Sequence, residues 1–254
     1  MAVKDWSKGN FNSGLAGDNT DMLANKKRLI VDIFHIPTKT SVQFKAFVTS
    51  YQDKFESEYN SEDVYGRMDP IQTFKGTKRK ISLGWEVVSG SQKEAKKNLE
   101  RCTTLFSMLY PTYSETGASV ATTIAAGPIF RLKFANLIQD VSSASKGASS
   151  AESNGLVGTI SGFTYEPDFD SGFFDEGIGT LYPQTIKLSC EYTVNHTHGL
   201  GWSGGKKRTE NFPYNQNGET KSTKEMETGE KPTTSDSTEA KANEKEMEGA
   251  TKNG

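Results

Sequence analysis

Three short stretches carry residue types that can do chemistry. The first, GLGWSG at 199–204, matches G-x-G-x-x-G. That pattern binds a dinucleotide when a strand enters it and a helix leaves it, because the helix N-terminus then holds the pyrophosphate. Here a tail expected to be disordered follows, so dinucleotide binding is not expected. The neighbouring GGKK is not a phosphate loop: Leu200 stands where the first Gly is needed, and Lys207 where Ser or Thr is needed. The second stretch holds His196 and His198, which can point to one side of a strand end and share a metal. Only His35 remains as a further histidine, and Cys190 falls on an inward face, so exposed loop histidines are the plain reading. The third, DFDSGFFDEG at 168–177, sets Asp168, Asp170, Asp175 and Glu176 around glycines. It lacks the spaced ligands and closing Glu of a calcium loop, and reads as a turn between two strands. No Ser/His/Asp or Cys/His set stands out, and nothing selects a carboxylate pair for glycosidic chemistry. No catalytic role, no metal and no cofactor are expected.

The elements that would position these residues follow from periodicity. RLIVDIFHI, closed by Pro37, and SVQFKAFVTSY make a hairpin in which Val42, Phe44, Ala46 and Val48 share one face. Residues 52–76 are charged and turn-rich and read as a loop. Ile81, Leu83, Trp85 and Val87 then alternate with Lys80, Ser82, Gly84 and Glu86, a half-buried strand. Ser91 and Glu94 form a capping box, and Ala95, Leu99, Cys102, Leu105, Phe106 and Leu109 make one apolar helical stripe that Pro111 ends. Lys93, Lys96, Lys97 and Arg101 are assigned to the wet side. SETGASVATTIAAG is a small-residue loop, and PIFRLKFANLI a strand. The Ser/Ala-rich 142–155 is a flexible linker inside the domain, followed by the strands GLVGTISGFTYEPD and PQTIKLSCEYTVNH. In the last, Ile186, Leu188, Cys190, Tyr192 and Val194 point inward. Strands outnumber helices, so a mainly antiparallel α+β domain with one covering amphipathic helix is expected.

Composition limits partners and compartments. Thirty Lys and Arg against 32 Asp and Glu leave a net charge of −2, which argues against general nucleic-acid binding. No apolar run approaches membrane-spanning length, and MAVKDWSKGNFNSGLAGDNT has no apolar signal core, so neither a membrane span nor secretion by that route is expected. Cys102 and Cys190 read as buried thiols, and the sequon at Asn195 as unused. After Leu200 there is no Val, Ile or Leu, so 203–254 is expected to be a disordered polar tail. Residues 1–27 read as an extended arm whose Trp6 and Phe11 need a surface, its own domain's or a neighbour's. The domain proper is 28–202.

The order of these patterns resembles a known family. VYGRMDPIQTF, then TKRKISLGWEVVSGSQKEAKKNLERCTTLFSMLYPTY, is similar to the baseplate tube-initiating proteins of contractile-tailed phages. GLVGTISGFTYEPDFDSGFF and LYPQTIKLSCEYTV resemble the paired strands of tail-tube and injection-system tube proteins, through Gly158, Ile160, Tyr165, Phe169, Gly172, Pro183 and Glu191. The likeness covers roughly 28–200; the arm, the Ser/Ala linker and the tail fall outside it. It implies a β-barrel or sandwich of the tail-tube type, assembled as a hexameric ring of identical copies around a DNA-conducting channel. The ring would sit on the baseplate hub in the virion and template the first tube ring. Residues 52–76 then become an interface loop, with Tyr65 as aromatic anchor, Arg67 and Asp69 as the charged pair, Pro70 fixing an extended shape, and Trp6 and Phe11 as further contacts. The core is expected around Ile81, Leu83, Trp85, Val87, Leu99, Leu105, Phe106, Leu109, Ile186, Leu188 and Tyr192. Another tail or neck ring, such as a terminator or sheath-contacting subunit, fits the same patterns. So does a monomeric β-type module that stacks sugars on Trp6 or Trp202.

Overall fold

A computed structural model describes residues 11–12, 19–45, 47–115, 122–142 and 150–215. The chain divides after Glu219, and every described residue belongs to the first unit. Along it lie α1 (Asn19–Lys27), β1 (Ile30–His35), β2 (Thr40–Lys45), β3 (Phe47–Glu62), β4 (Ile71–Val88) and α2 (Gln92–Met108). Then come β5 (Thr112–Glu115), β6 (Thr122–Ala126), β7 (Phe130–Phe134), α3 (Ala151–Asn154) and β8 (Leu156–Pro167). The last are β9 (Phe173–Gly177), β10 (Thr180–Pro183), β11 (Thr185–Val194), β12 (Trp202–Ser203) and β13 (Lys206–Lys207). The fold is mainly antiparallel sheet with few helices, and no described helix is long and apolar enough to cross a membrane.

Seven strands form one sheet in the order β2-β1-β7-β8-β11-β4-β3, each pair antiparallel. The sheet is open, so of the expected barrel or sandwich the closed barrel is not formed. Yet only residue 46 separates the edge strand β2 from the opposite edge strand β3, so the two edges approach within about 7 Å there. A one-residue link is too short for the turn that would let β2 and β3 pair antiparallel. SVQFKAFVTSY is therefore not one strand but a corner at which the chain leaves one edge and joins the other. Val42 and Phe44 are buried as expected, Val48 packs on the core's margin, and Ala46 lies outside the described residues.

One core fills the curl. Register places Trp85 opposite Leu188 and Val48, Val87 opposite Ile186, Leu83 opposite Cys190, and Ile81 opposite Tyr192, all on one face. The Phe44 ring of β2 reaches across to Trp85, with centroids 5.9 Å apart. The Tyr192 hydroxyl lies 2.9 Å from the Phe130 carbonyl oxygen and 2.7 Å from that of Leu156, so its single proton is shared between β7 and β8. Beside it, Gly158 has no room for a side chain: a Cβ there would land on the Thr193 carbonyl oxygen and lie 2.8 Å from the Tyr192 ring. Both cysteines are buried and unpaired, and burial pushes each thiol up to about 12.

The covering helix forms as its sequence predicts. Ser91 Oγ accepts from Glu94 N–H at 3.3 Å, and Glu94 reaches back to Gly90 N–H at 2.8 Å. Ala95, Cys102, Leu105 and Met108 are buried, while Leu99, Phe106 and Leu109 are half-buried at the edge of the stripe. Arg101 departs from expectation, because it is buried rather than wet. Its Nη2 donates to the Asn12 carbonyl at 2.7 Å, its Nη1 to Asn98 at 2.8 Å, and its guanidinium sits 4.6 Å from the Phe11 ring centroid. Burial lowers that guanidinium to about 10.

The expected extended arm is corrected in the same place. Residues 19–27 are helical, and Phe11 is buried against its own domain, bracketed by two hydrogen bonds to Asn25 at 2.8 and 2.9 Å. Lys45 of β2 ties α1 to α2, at 3.0 Å from Asp21, 2.9 Å from Thr20 and 3.2 Å from Glu94. Phe11 thus packs inside its own domain. Trp6 lies outside the described residues.

Two further boundaries move. Of the expected linker, residues 150–155 carry α3, docked by Ala151 N–H donating to Asp32 at 2.9 Å, while 143–149 lie outside the described residues. Of the expected disordered tail, residues 203–215 continue the fold through β13 and a segment that packs on the sheet, and 216–254 lie outside the described residues. The expected small-residue loop carries the end of β5 and all of β6, which pair antiparallel.

Candidate functional site: the projecting hairpin

Residues 52–76 are not a loop. They are the outer half of the β3–β4 hairpin, which outruns the rest of the sheet. The last residue of β4 with a neighbour on its other side is Arg79, opposite Val194 of β11. Beyond it, strands 56–62 and 71–78 pair only with each other, a two-stranded ribbon about 25 Å long. A lone ribbon of this kind is marginal in water unless its faces find partners.

Its two faces differ. On the outward one, Glu56 is held at 2.6 Å by Lys54 and 2.9 Å by Lys80, and Glu58 at 2.5 Å by Lys78. Hydrogen bonds from Lys54 and Lys80 pull the Glu56 carboxyl down to about 2. These pairs are solvent-exposed and contribute little stability. The other face continues the core side of the sheet as Phe55, then Ser57 opposite Thr77, then Tyr59 opposite Phe74. Tyr59 and Phe74 meet edge to face at 5.5 Å and both remain more than half exposed. A bulge at Lys75 keeps them opposite one another.

The tip holds the residues singled out from sequence. Arg67 N–H donates to the Val64 carbonyl at 3.1 Å, closing a turn in which Gly66 takes φ 89°. Tyr65 and Met68 are fully exposed, and Val64 is exposed beside them. Arg67 and Asp69 are both exposed at the tip. Pro70 precedes the first residue of β4, where its missing N–H costs no ladder bond.

At the ribbon's root sits a cluster that sequence reasoning missed. Arg79 is 1 % exposed and donates to both oxygens of Asp53, from Nε at 3.0 and 3.1 Å and from Nη2 at 2.6 Å. The Phe55, Phe212 and Tyr214 rings surround the guanidinium at 5.3, 5.7 and 5.9 Å. Tyr214 Oη donates to Asp53 at 3.1 Å, and Tyr51 Oη lies 3.4 Å from the same oxygen. Lys78-Arg79-Lys80 reads as a solvated basic run. Only parity with Ile81 reveals that the middle residue turns inward.

The stretches with chemical residue types do not assemble into a site. GLGWSG leads into and includes β12, and the turn and strand β13 follow it instead of a helix. His196 and His198 stand edge to face at 6.1 Å, and His198 Nδ1 is 3.5 Å from Asp140; among the described residues no group of three ligands could hold a metal. Burial lowers the proton affinity of His196, with Arg79 and His198 adding to the effect. The acidic turn uses its carboxylates locally. Asp168 accepts from Asp170 N–H at 3.1 Å and from Ser171 at 3.2 Å, Asp175 from Gly177 N–H at 2.9 Å, and Glu176 meets Lys96 of α2 at 3.2 Å. No protein-family model matches the chain, and no curated protein is similar to it.

Proposed function

We propose that this chain is a structural subunit that meets copies of itself in a ring, at the baseplate end of a contractile phage tail, where it starts the tail tube and conducts DNA. A tail-tube-type fold, a virion location and the absence of a catalytic role belong to the same reading. The observation that carries it is the ribbon: about 25 Å of unsupported hairpin with aromatic residues on one face and exposed Tyr65 and Met68 at its end. Such an element adds little to the stability of its own domain and offers a neighbour an arm with faces left to cover. A head-to-tail contact that closes by rotation gives a ring from one kind of subunit. The net charge of −2 suits a channel through which DNA passes without sticking.

The test replaces Tyr65 and Arg67 by Ala. Both side chains are exposed, so the monomer should keep its circular dichroism spectrum and melting temperature. Ring or tail assembly should fail, because losing a central aromatic anchor typically costs about 2 kcal/mol or more of interface energy, on the order of thirtyfold in affinity. Normal assembly of the variant, seen by electron microscopy, would overturn the interface assignment. A second reading, a monomeric binding module, is favoured by exposed Trp202 with Lys207 5.9 Å from its ring; a strictly monomeric protein that retains an immobilised glycan would support it.

A further inference from the structure

The segment 208–215 leaves the β12–β13 turn and runs back over the ribbon's root. Arg208 N–H donates to the Gly201 carbonyl at 3.0 Å, and Thr209 Oγ1 to that of Gly199 at 3.2 Å. Phe212 then sits edge to face with Phe55 at 6.1 Å and with His196 at 5.8 Å. Tyr214 reaches Asp53, and beyond β7 Asn215 N–H donates to the Asn136 carbonyl at 3.4 Å while Asn136 Nδ2 donates to the Asn215 carbonyl at 3.2 Å. Residues 211–215 are only half-buried. They cover the one place where the ribbon passes from a supported sheet to an unsupported pair of strands.

We propose that Thr209–Asn215 is a strap whose seating on the Asp53–Arg79 pair holds the ribbon's root in order, and that taking up a proton at His196 unseats it. The strap supplies two of the three rings around Arg79 and a hydroxyl donor to Asp53, so lifting it leaves the buried pair open to water on that side. His196 is placed to control this. It continues the inward parity of β11 two residues past Val194, packs on Phe212, and its Nε2 is buried with no hydrogen-bond partner among the described residues. The charged and titratable groups facing it are Arg79 of β4, Asp53 of β3, Asp140 after β7, and His198.

The direction of the pH effect follows. The lowered affinity of seated His196 means that the neutral ring is the form the seat accepts. Above the ordinary histidine value of 6.5 it is neutral whether the strap is seated or free, and seating is at full strength. As pH falls below 6.5 the free form gains its proton first, and seating weakens until the lowered seated value is passed.

Hydrogen exchange on the full-length monomer tests this without requiring any assembly, so its outcome is independent of the proposed ring. Rates corrected for intrinsic exchange are compared at about pH 7.5 and about pH 5.5, on either side of the histidine range. The strap, 56–62 and 71–78 should lose protection together at the lower pH, on the order of tenfold, while β11 stays protected. Phe212→Ala should produce the same loss at the higher pH, and Tyr214→Phe, which removes only the hydroxyl on Asp53, a smaller one; β11 protection reports that the domain remains folded in each. His196→Gln should abolish the pH difference. Unchanged ribbon protection in both strap variants would show the strap to be passive, and a pH difference that survives in His196→Gln would overturn the trigger.

Discussion

Replacing Trp85 by Ala should lower the unfolding free energy by about 4 kcal/mol, in the range seen for deleting a large buried aromatic side chain. Trp85 is fully buried at the centre of the curl. It touches Phe163 at 6.1 Å on its own half of the sheet and Phe44 at 5.9 Å on the half that folds over it. Among the described residues no backbone pairing joins β2 to β3, so side-chain contacts such as this one tie the β2 end of the sheet to the β4 end. Trp85→Phe should cost much less: it keeps an aromatic ring at the site and removes an indole N–H that has no partner among the described residues. Urea unfolding of the two variants measures the difference. A loss below about 1 kcal/mol for Trp85→Ala, the size expected of an ordinary surface change or mild repacking, would mean that the curl is held elsewhere.

The second large effect is at the ribbon's root. Asp53→Ala should cost about 3–5 kcal/mol, because it leaves the Arg79 guanidinium buried without its counter-charge. Their side chains are 2 % and 1 % exposed, so solvent cannot take over the role of the lost partner. Replacing both, as Asp53→Ala with Arg79→Met, should recover most of that loss, since a buried ion pair often contributes little more than apolar residues of similar volume. The double-mutant cycle should therefore show strong coupling. Additive effects would mean that Arg79 is stabilised chiefly by the rings around it rather than by Asp53.

How much of this was legible in the sequence depended on whether an element has one wet face and one dry one. β4 over Ile81–Val87, β8 and β11 do, and their alternation places Trp85, Leu188 and Tyr192 correctly. α2 announces itself through Ser91, Glu94 and its stripe. The ribbon does not, because both of its faces are exposed: Glu56, Glu58 and Lys78 on one side and Ser57, Tyr59 and Thr77 on the other carry no apolar period to find. A run of charge with Gly76 and Asp69-Pro70 then reads as loop. α1 has no apolar stripe, and is tied down by distant partners, Asp21 to Lys45 and Asn25 to Phe11. The openness of the sheet turns on a single link residue between β2 and β3, where hydrophobic alternation runs straight through the corner. Phe212 and Tyr214 stand in an otherwise polar tail, and no local pattern shows that Arg79 lies inside the fold to receive them.

The claim on which the account rests is that the ribbon exists to meet another copy. Sedimentation velocity on the full-length protein over a wide concentration range, run beside a variant in which 56–77 is replaced by a tight turn between Phe55 and Lys78, tests it most directly. The intact chain should form closed oligomers, and the shortened one, with its core strands unchanged, should stay a monomer. Intact protein that remains monomeric throughout, or a shortened chain that still assembles, would contradict it.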